Sequence, residues 1–244
     1  MIETNLIEIF SSIQGEGKYV GYRQVFVRFS GCNLKCSYCD TKFRKQKYCN
    51  AENTAGSEKF IKLMNPVSAN KVTDVIQKLI KEVPTHAVSF TGGEPLLHGE
   101  FIKAIAEQIN TDTKIALETN GTLFNELENI IGFVDIVSMD IKLPSVVGKE
   151  LFDHHRRFIE VAKNKDLYVK VVISNDSTEE ELLTAFKTVS SVSEDIPLII
   201  QPVTPIGEIK PASSRKILSC QALAAKYLKD VRVIPQTHKV INVM

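Results

Sequence analysis

The chain has 244 residues, a length that suits one large α/β domain or two small ones. Of these residues 43% are hydrophobic and 24% charged, so the chain can bury a core without being membrane-like. Its 30 Lys and Arg and 29 Asp and Glu leave a formal net charge of +1, which gives no electrostatic reason to expect a nucleic-acid partner. No apolar run approaches the roughly 20 residues that cross a bilayer. The first residues, Met1–Asn5, lack the basic and apolar regions of a signal peptide. We therefore expect a cytoplasmic protein without a membrane or nucleic-acid partner.

Short β-rich apolar runs alternate with segments of helical period along the chain. The predicted strands are Leu6–Ile13, Val25–Gly31, Ala87–Thr91, Lys114–Glu118, Val134–Met139, Leu167–Ser174, Leu198–Val203 and Val231–Pro235. The predicted helices show the i, i+3, i+4 spacing of one buried face and include Val72–Val83, Phe101–Ile109, Leu182–Val189 and Ser213–Leu228. Such alternation predicts parallel strands joined by crossover helices.

The number of these units predicts the architecture. About six are too few for a closed eight-stranded barrel, so we predict an α/β fold that forms a partial, open TIM-like barrel of parallel β/α units. Residues 1–244 are then a single domain, with functional groups gathered at the carboxyl ends of the strands. Residues 42–70 are polar and break the alternation, with one weak apolar patch at Phe60–Met64. We predict that they form an irregular insertion that packs on or covers the site.

Three of the five cysteines, Cys32, Cys36 and Cys39, form a Cys-x3-Cys-x2-Cys loop after the second predicted strand. Three thiolates in one short loop can hold an iron–sulfur cube and leave its fourth iron open to a small molecule. A structural zinc site usually has four ligands, but Cys49 stands apart from the loop and the first histidine is His86. The spacing therefore indicates a [4Fe–4S] cluster. A non-catalytic iron–sulfur or zinc module is the alternative from another functional class.

Polar motifs stand at the ends of the next two predicted strands. They are Gly-Gly-Glu-Pro at Gly92–Pro95 and Glu-Thr-Asn-Gly at Glu118–Gly121. Paired glycines let the backbone approach a ligand closely, and a carboxylate at a strand end can accept hydrogen bonds from ribose hydroxyls. Taken alone, each motif is more often a plain turn.

Together, the cysteine spacing and these strand ends resemble the radical S-adenosylmethionine superfamily. The resemblance implies that Cys32, Cys36 and Cys39 hold the cluster and that the cofactor is cleaved to methionine and a 5′-deoxyadenosyl radical. It implies cofactor contacts at Tyr38, Gly92, Gly93, Glu94, Glu118, Asn120, Ser138, Lys142 and Gln201. For Lys142, a solvated surface position is an equal alternative.

The two ends of the chain carry a narrower resemblance. Gln14-Gly15-Glu16-Gly17 follows the first predicted strand, and Gln236-Thr237-His238-Lys239 lies near the finish. A Gln and a Glu on a flexible turn can hydrogen-bond a flat heterocycle, and a surface hairpin loop is the alternative. With Asp40-Thr41 after the cysteine loop, these motifs resemble the family of 7-carboxy-7-deazaguanine synthases over nearly the whole chain outside 42–70.

This resemblance implies a lyase that contracts the ring of 6-carboxy-5,6,7,8-tetrahydropterin with loss of ammonia, in queuosine- or archaeosine-type 7-deazapurine biosynthesis. It implies a Mg²⁺ ion held by the Thr41 hydroxyl, with Asp40 behind it. The substrate contacts it implies are Gln14, Gly15, Glu16, Arg28, Thr91, His238 and the carboxylate of Met244. For Arg28 and His238, ordinary surface positions are the alternatives.

The family is commonly homodimeric and takes electrons from a donor such as a flavodoxin. A glycyl-radical-activating enzyme is the alternative within the superfamily. It shares the cysteine spacing and the small size but lacks the Gln-Gly-Glu-Gly turn.

Overall fold

A computed structural model of the chain describes residues 2–39, 46–109, 112–205 and 209–244. The strands are β1 (Glu3–Thr4), β2 (Leu6–Ile13), β3 (Arg23–Phe29), β4 (Tyr48–Glu52), β5 (Phe60–Met64), β6 (Val67–Ser68), β7 (Ala87–Gly92), β8 (Lys114–Thr119), β9 (Ile136–Ile141), β10 (Asp166–Ile173), β11 (Leu198–Pro202) and β12 (Val231–Val233). The helices are α1 (Ala69–Glu82), α2 (Gly99–Ala106), α3 (Phe124–Ile130), α4 (Pro144–Val147), α5 (Phe152–Ala162), α6 (Glu179–Ser190), α7 (Ser214–Ala224) and α8 (Thr237–Ile241). Within these ranges, no helix is long and apolar enough to cross a membrane.

The main sheet has the strand order β12-β11-β10-β9-β8-β7-β3-β2-β4-β5. Strand β3 pairs in parallel with β7. Strands β7 to β12 then follow one another across the sheet in chain order, and each is parallel to the next. A helix follows each of the strands β7 to β11, and after the helix the chain enters the neighbouring strand of the sheet. Strand β2 runs antiparallel to β3. The predicted partial barrel of parallel β/α units is confirmed.

The outward face of the parallel strands holds the hydrophobic core. Successive residues of a strand face opposite sides of the sheet. On β9 and β10 the outward residues include Val137, Met139, Val169 and Val171, all fully buried in one cluster with the apolar faces of the helices. Burying such a side chain contributes roughly 1.5–3 kcal/mol, so this layer supplies much of the driving force for folding.

The inward face changes from apolar to polar along the strands. Near the start of five consecutive strands lies a small apolar cluster of Ala87, Ala116, Ile136, Tyr168 and Ile199. Two residues further along, on the same face, come Ser89, Glu118, Ser138, Lys170 and Gln201. The apolar layer therefore fills the amino-terminal end of the barrel, and the polar layer faces the space at its carboxyl end.

The prediction of an irregular insertion is corrected for residues 46–70. Strand β4 pairs with β2, β5 pairs with β4, and β6 pairs with β1. Helix α1 follows directly, with the Ser68 hydroxyl accepting from the Lys71 N–H at its start. A hairpin at a sheet edge exposes one face and one edge to water, so its polar sequence lacks the apolar signal of a central strand. Residues 40–45 lie outside the described ranges.

The carboxylate of Glu52 accepts backbone hydrogen bonds just beyond the end of the β2–β4 ladder. The last paired residues are Ile9 and Ala51. Beyond them, the Ser11 N–H donates to Glu52 Oε2 at 2.8 Å, and the Glu58 N–H donates to Oε1 at 2.9 Å. The Glu52 side chain is buried. Its carboxylate thus satisfies two backbone donors that would otherwise lack acceptors.

The substitution Glu52→Gln should lower the free energy of unfolding by about 1–3 kcal/mol, because the amide accepts at one position and turns its NH₂ group toward a second N–H donor. Each kcal/mol should lower Tm by about 2–4 °C, which circular dichroism measures. Glu128→Gln, exposed on α3, is the matched control and should leave Tm unchanged. Equal Tm values for E52Q and the unmodified chain would contradict the bracing role.

Candidate active site

One cavity of about 250 Å³ lies at the carboxyl ends of the parallel strands. The predicted site residues that line it are Gln14, Gly15, Glu16, Arg28, Cys32, Cys36, Tyr38, Cys39, Thr91, Gly92, Gly93, Glu118, Asn120, Lys142, Gln201, His238 and Met244. Glu94 and Ser138 are buried and do not line it. Asp40 and Thr41, the residues predicted to lie at Mg²⁺, are outside the described residues. No described residue of 46–70 lines the cavity either, so this part of the predicted insertion does not cover it.

The cysteine loop presents three free, partly buried thiols to the cavity. The loop turns where the Cys39 N–H donates to the Cys36 carbonyl oxygen at 3.1 Å. The Sγ of Cys32 accepts from the Leu34 N–H at 3.4 Å and from the Asn120 amide at 3.7 Å. Burial raises the pKa of the Cys32 and Cys36 thiols, so a nearby cation is needed to hold them as thiolates.

The donor set fits an iron–sulfur cluster better than a single metal ion. Among the described residues, no three Cys, His, Asp or Glu side chains are grouped closely enough to hold one ion. A zinc site requires such a group. In a cubic cluster each cysteine binds a different iron, so three sulfurs can line one cavity without converging on a point.

The Gly92-Gly93 loop packs directly on the backbone that leads into the cysteine loop. The Gly93 N–H donates to the Phe29 carbonyl oxygen at 3.1 Å, and the Glu94 N–H donates to that of Gly31 at 2.8 Å. A Cβ at Gly93 would lie 1.6 Å from the Gly31 carbonyl oxygen, and Gly92 has a φ of +115°. Both glycines are therefore required for the two loops to meet, whatever ligand they contact.

Glu94 joins two strand ends beneath the cavity. Its carboxylate accepts from the Thr119 hydroxyl at 2.8 Å, the Asn120 N–H at 2.8 Å and the Leu96 N–H at 3.1 Å. Burial raises the pKa of Glu94 to about 7, despite these hydrogen bonds. The side chain holds the Gly-Gly-Glu-Pro and Glu-Thr-Asn-Gly motifs together. Glu94 itself does not line the cavity, but Asn120, which donates to it, does.

The Glu118 carboxylate accepts hydrogen bonds from three neighbouring side chains. It accepts from the Gln14 amide at 2.7 Å, the Thr91 hydroxyl at 2.7 Å and the Ser89 hydroxyl at 3.3 Å. The turn after β2 is thereby tied to β7 and β8.

The two ends of the described chain meet at the gap in the barrel. The Gly15 carbonyl oxygen accepts from the Thr237 N–H at 2.8 Å and from its hydroxyl at 3.1 Å. The Ser12 hydroxyl donates to the main-chain oxygen of Met244 at 2.7 Å. A Cβ at Gly15 would lie 2.1 Å from His238 Nδ1, so only glycine allows this approach. These contacts place Met244 and His238 beside the Gln-Gly-Glu-Gly turn.

Glu16 is oriented by two donors. Lys170 Nζ lies 2.5 Å from Oε2, and the Gln236 amide donates to Oε1 at 2.6 Å. The Glu16 N–H donates to the side-chain oxygen of Gln14 at 3.0 Å. Burial raises the pKa of Glu16, but the Lys170 charge and the two hydrogen bonds outweigh it and lower the pKa from 4.5 to about 2. The turn therefore presents a fixed, ionised carboxylate.

Arg28 approaches the cavity from β3. Its Nε donates to Glu8 at 2.8 Å, and its guanidinium carbon lies 5.7 Å from the centre of the Phe10 ring. Phe10 stacks on Phe26 with 5.2 Å between ring centroids. Arg28 is thus held against an aromatic wall at the edge of the cavity.

The sequence predictions missed Lys170 and Asp140. Lys170 Nζ lies 3.3 Å from Asp140 Oδ1, and Lys142 Nζ lies 2.9 Å from Oδ2. Lys142 also lies 5.5 Å from the centre of the Tyr38 ring, so it is not a solvated surface residue. Burial lowers the pKa of each lysine, but Asp140 and neighbouring anions outweigh it and keep both well above the usual range. The sequence does indicate Lys170, because a charged residue is rare in an apolar run such as Leu167–Ser174 when the run is an ordinary buried strand.

Comparisons with known proteins agree with this geometry. The model of the Radical SAM superfamily matches residues 26–188. The 7-carboxy-7-deazaguanine synthase of Geobacter sulfurreducens is 41% identical over 96% of this chain and 95% of its own length. That of Methanocaldococcus jannaschii is 39% identical over 97% and 99%. The crystal structure of QueE from Escherichia coli has a TM-score of 0.60 at 18% identity, covering 97% of this chain and 95% of that one, and supports the fold.

These relatives cover 96% and 97% of the chain and are 7-carboxy-7-deazaguanine synthases, so they support this family and not the glycyl-radical-activating alternative. They also exclude the reading of the cysteine loop as a non-catalytic module. The chain therefore belongs to the Radical SAM superfamily and, within it, to the family of 7-carboxy-7-deazaguanine synthases.

Proposed function

We propose that the chain converts 6-carboxy-5,6,7,8-tetrahydropterin to 7-carboxy-7-deazaguanine and ammonia, a step of 7-deazapurine biosynthesis. One observation carries the proposal: the three cysteines and the turn with Gln14 and Glu16 line the same cavity. A [4Fe–4S] cluster and S-adenosylmethionine bound there supply the radical that removes a hydrogen from the substrate. Substrate and products contain the same atoms, so the overall reaction consumes no oxidant or reductant.

The substrate's amino-pyrimidinone edge is assigned to the turn after β2. That edge offers two adjacent N–H donors, which a carboxylate can accept with one oxygen each. Glu16 is ionised and held in place by Lys170 and Gln236, so it is suited to this contact. Gln14 and His238 stand beside it in the cavity and supply further hydrogen-bonding groups.

The substrate's carboxylate is assigned to Arg28. A guanidinium has five N–H donors, of which the bond to Glu8 uses Nε. Its planar shape matches a carboxylate in a two-bond contact. The Phe10 and Phe26 rings beside it form an apolar wall that suits a flat heterocycle.

The cofactor is assigned to the cysteine end of the cavity. Gly92 and Gly93 bring backbone polar groups to its surface, and Asn120 reaches the Cys32 sulfur. Gln201 Oε1 is buried and has no hydrogen-bond partner among the described residues, so it can accept from a ligand. Further cofactor contacts are assigned to Tyr38, Glu118 and Lys142, which line the cavity, whereas Ser138 does not line it and is not assigned one.

Four features of the family complete the proposal. Mg²⁺ is assigned to Thr41 with Asp40 behind it, because hard oxygen ligands suit this ion. The enzyme acts as a homodimer and takes electrons from a flavodoxin-like donor. A cytoplasmic location fits five cysteines that are all free thiols.

The proposal is tested with cluster-reconstituted enzyme under anaerobic conditions. Incubation with the carboxytetrahydropterin, S-adenosylmethionine, Mg²⁺ and a reductant should yield 7-carboxy-7-deazaguanine, detected by mass spectrometry. Accumulation of 5′-deoxyadenosine without this product would overturn the substrate assignment and leave the superfamily assignment standing.

The substitution Cys32→Ala should abolish cleavage of S-adenosylmethionine, because a cube that loses one of three protein thiolates is no longer held firmly. Iron analysis and the visible absorbance of the purified protein measure the loss. Cys49→Ala is the control, since Cys49 is buried on β4 away from the cavity, and it should retain iron. Full iron content in C32A would contradict the cluster assignment.

The substitution Arg28→Gln should raise KM for the pterin about 10- to 100-fold, because it removes a charged two-bond contact with the substrate carboxylate. Release of 5′-deoxyadenosine in the absence of pterin should stay unchanged. Arg232→Gln is the matched control, since Arg232 pairs with Asp230 at the surface and does not line the cavity. An unchanged KM in R28Q would reject the assignment of Arg28.

A further inference from the structure

We propose that Lys170 is a positioning residue that holds the Glu16 carboxylate in its charged form and at one fixed rotation, so that pterin binding depends on this buried cation. The inference deepens the proposed function and rests on it for the role of Glu16.

The position of Lys170 leaves its charge few partners. It lies on the inward face of β10, two residues beyond Tyr168 of the apolar layer, and its side chain is 4% exposed. Its ammonium group lies 2.5 Å from Glu16 Oε2 and 3.3 Å from Asp140 Oδ1. A buried ammonium group is stable only when such anions offset the loss of water.

The contacts of Glu16 leave room for a ligand. Each carboxylate oxygen can accept two hydrogen bonds. Lys170 occupies Oε2 once and Gln236 occupies Oε1 once. The two donors therefore fix the plane of the carboxylate, and each oxygen keeps one acceptor position for the paired N–H donors of the substrate.

The surrounding charges make Lys170 necessary for the ionised form. The titratable groups that face the pair from the elements packed around it are Asp140 on β9, Lys142 directly after β9, Glu118 on β8, Tyr168 on β10 and His238 on α8. Without the Lys170 charge, Glu16 is a partly buried carboxylate near two others, and both the partial loss of water and the like charge favour its protonation. A protonated Glu16 cannot accept from two N–H donors in the same way, because one oxygen then carries a hydrogen.

The test measures pterin affinity across pH with the cluster-loaded enzyme and S-adenosylmethionine, by anaerobic titration calorimetry from pH 6 to pH 9. The unmodified enzyme should show a nearly constant Kd, because Glu16 stays ionised throughout. In Lys170→Met, Kd should rise about 10- to 100-fold at pH 6 and recover as pH increases, because the pKa of Glu16 then moves up into this range. Lys170→Arg retains the charge and should restore the flat profile.

Two variants separate this role from a general loss of structure. Lys18→Met removes a half-buried lysine that pairs with Asp166 outside the cavity, and it should keep the flat profile. In the double variant Glu16→Gln/Lys170→Met, affinity should equal that of E16Q alone, because Lys170 acts through Glu16. If K170M does not fold, as judged by circular dichroism and iron content, Lys170→Gln takes its place with the same expected profile.

A pH-independent Kd in the neutral Lys170 variants would overturn the inference, as would additive losses in the double variant, which indicate a direct contact between Lys170 and the substrate. If the unmodified enzyme binds S-adenosylmethionine but not the pterin, the proposed function itself fails. In that case the Lys170 variants cannot show the expected change of the pterin Kd with pH, so the inference is overturned together with the proposed function.

Discussion

The cavity depends on a row of alternating charges, the partly buried Glu16 and Asp140 and the buried Lys170 and Lys142, that ends against the Tyr38 ring. Each ion alone would cost several kcal/mol to bury. In a row, each inner charge lies between two of opposite sign, which recovers much of that cost. Hydrophobic side chains of equal volume could stabilise the fold as well or better. We infer that the row is retained because it fixes charged groups at defined places between the two ends of the cavity.

This row can exist because of the geometry of the parallel strands. The inward residues advance by two along each strand, and the apolar layer from Ala87 to Ile199 closes the space beneath them. In the next layer Glu118, Lys170 and Gln201 line the cavity, so polar side chains are tolerated there. Meanwhile the outward residues of the same strands, such as Val169 and Val171, are fully buried beneath the helices. The outward faces of these strands therefore stabilise the fold, and their inward faces supply polar groups to the cavity.

The barrel is open, and its gap is closed by segments that are more than 200 residues apart in sequence. Contacts of Gly15 with Thr237 and of Ser12 with Met244 join the β2–β3 hairpin to α8 and to the residues that follow α8. The end of the cavity that we assign to the substrate is thus completed only when the last described residues fold back onto β2. This explains why the motifs at the two ends of the chain point to the same ligand although neither forms a site alone.

The sequence by itself determined the alternation of strands and helices, the cysteine loop and the polar strand ends, because spacing and periodicity are local properties of the chain. It missed the edge hairpin at 46–70, whose polar residues give little periodic signal. It also ended the fourth parallel strand at Met139, whereas β9 continues to Ile141, so Asp140 was not recognised as an inward residue. Only the tertiary structure decided that Glu94 braces two loops and that Lys170 holds Glu16, because both roles depend on contacts between residues distant in sequence.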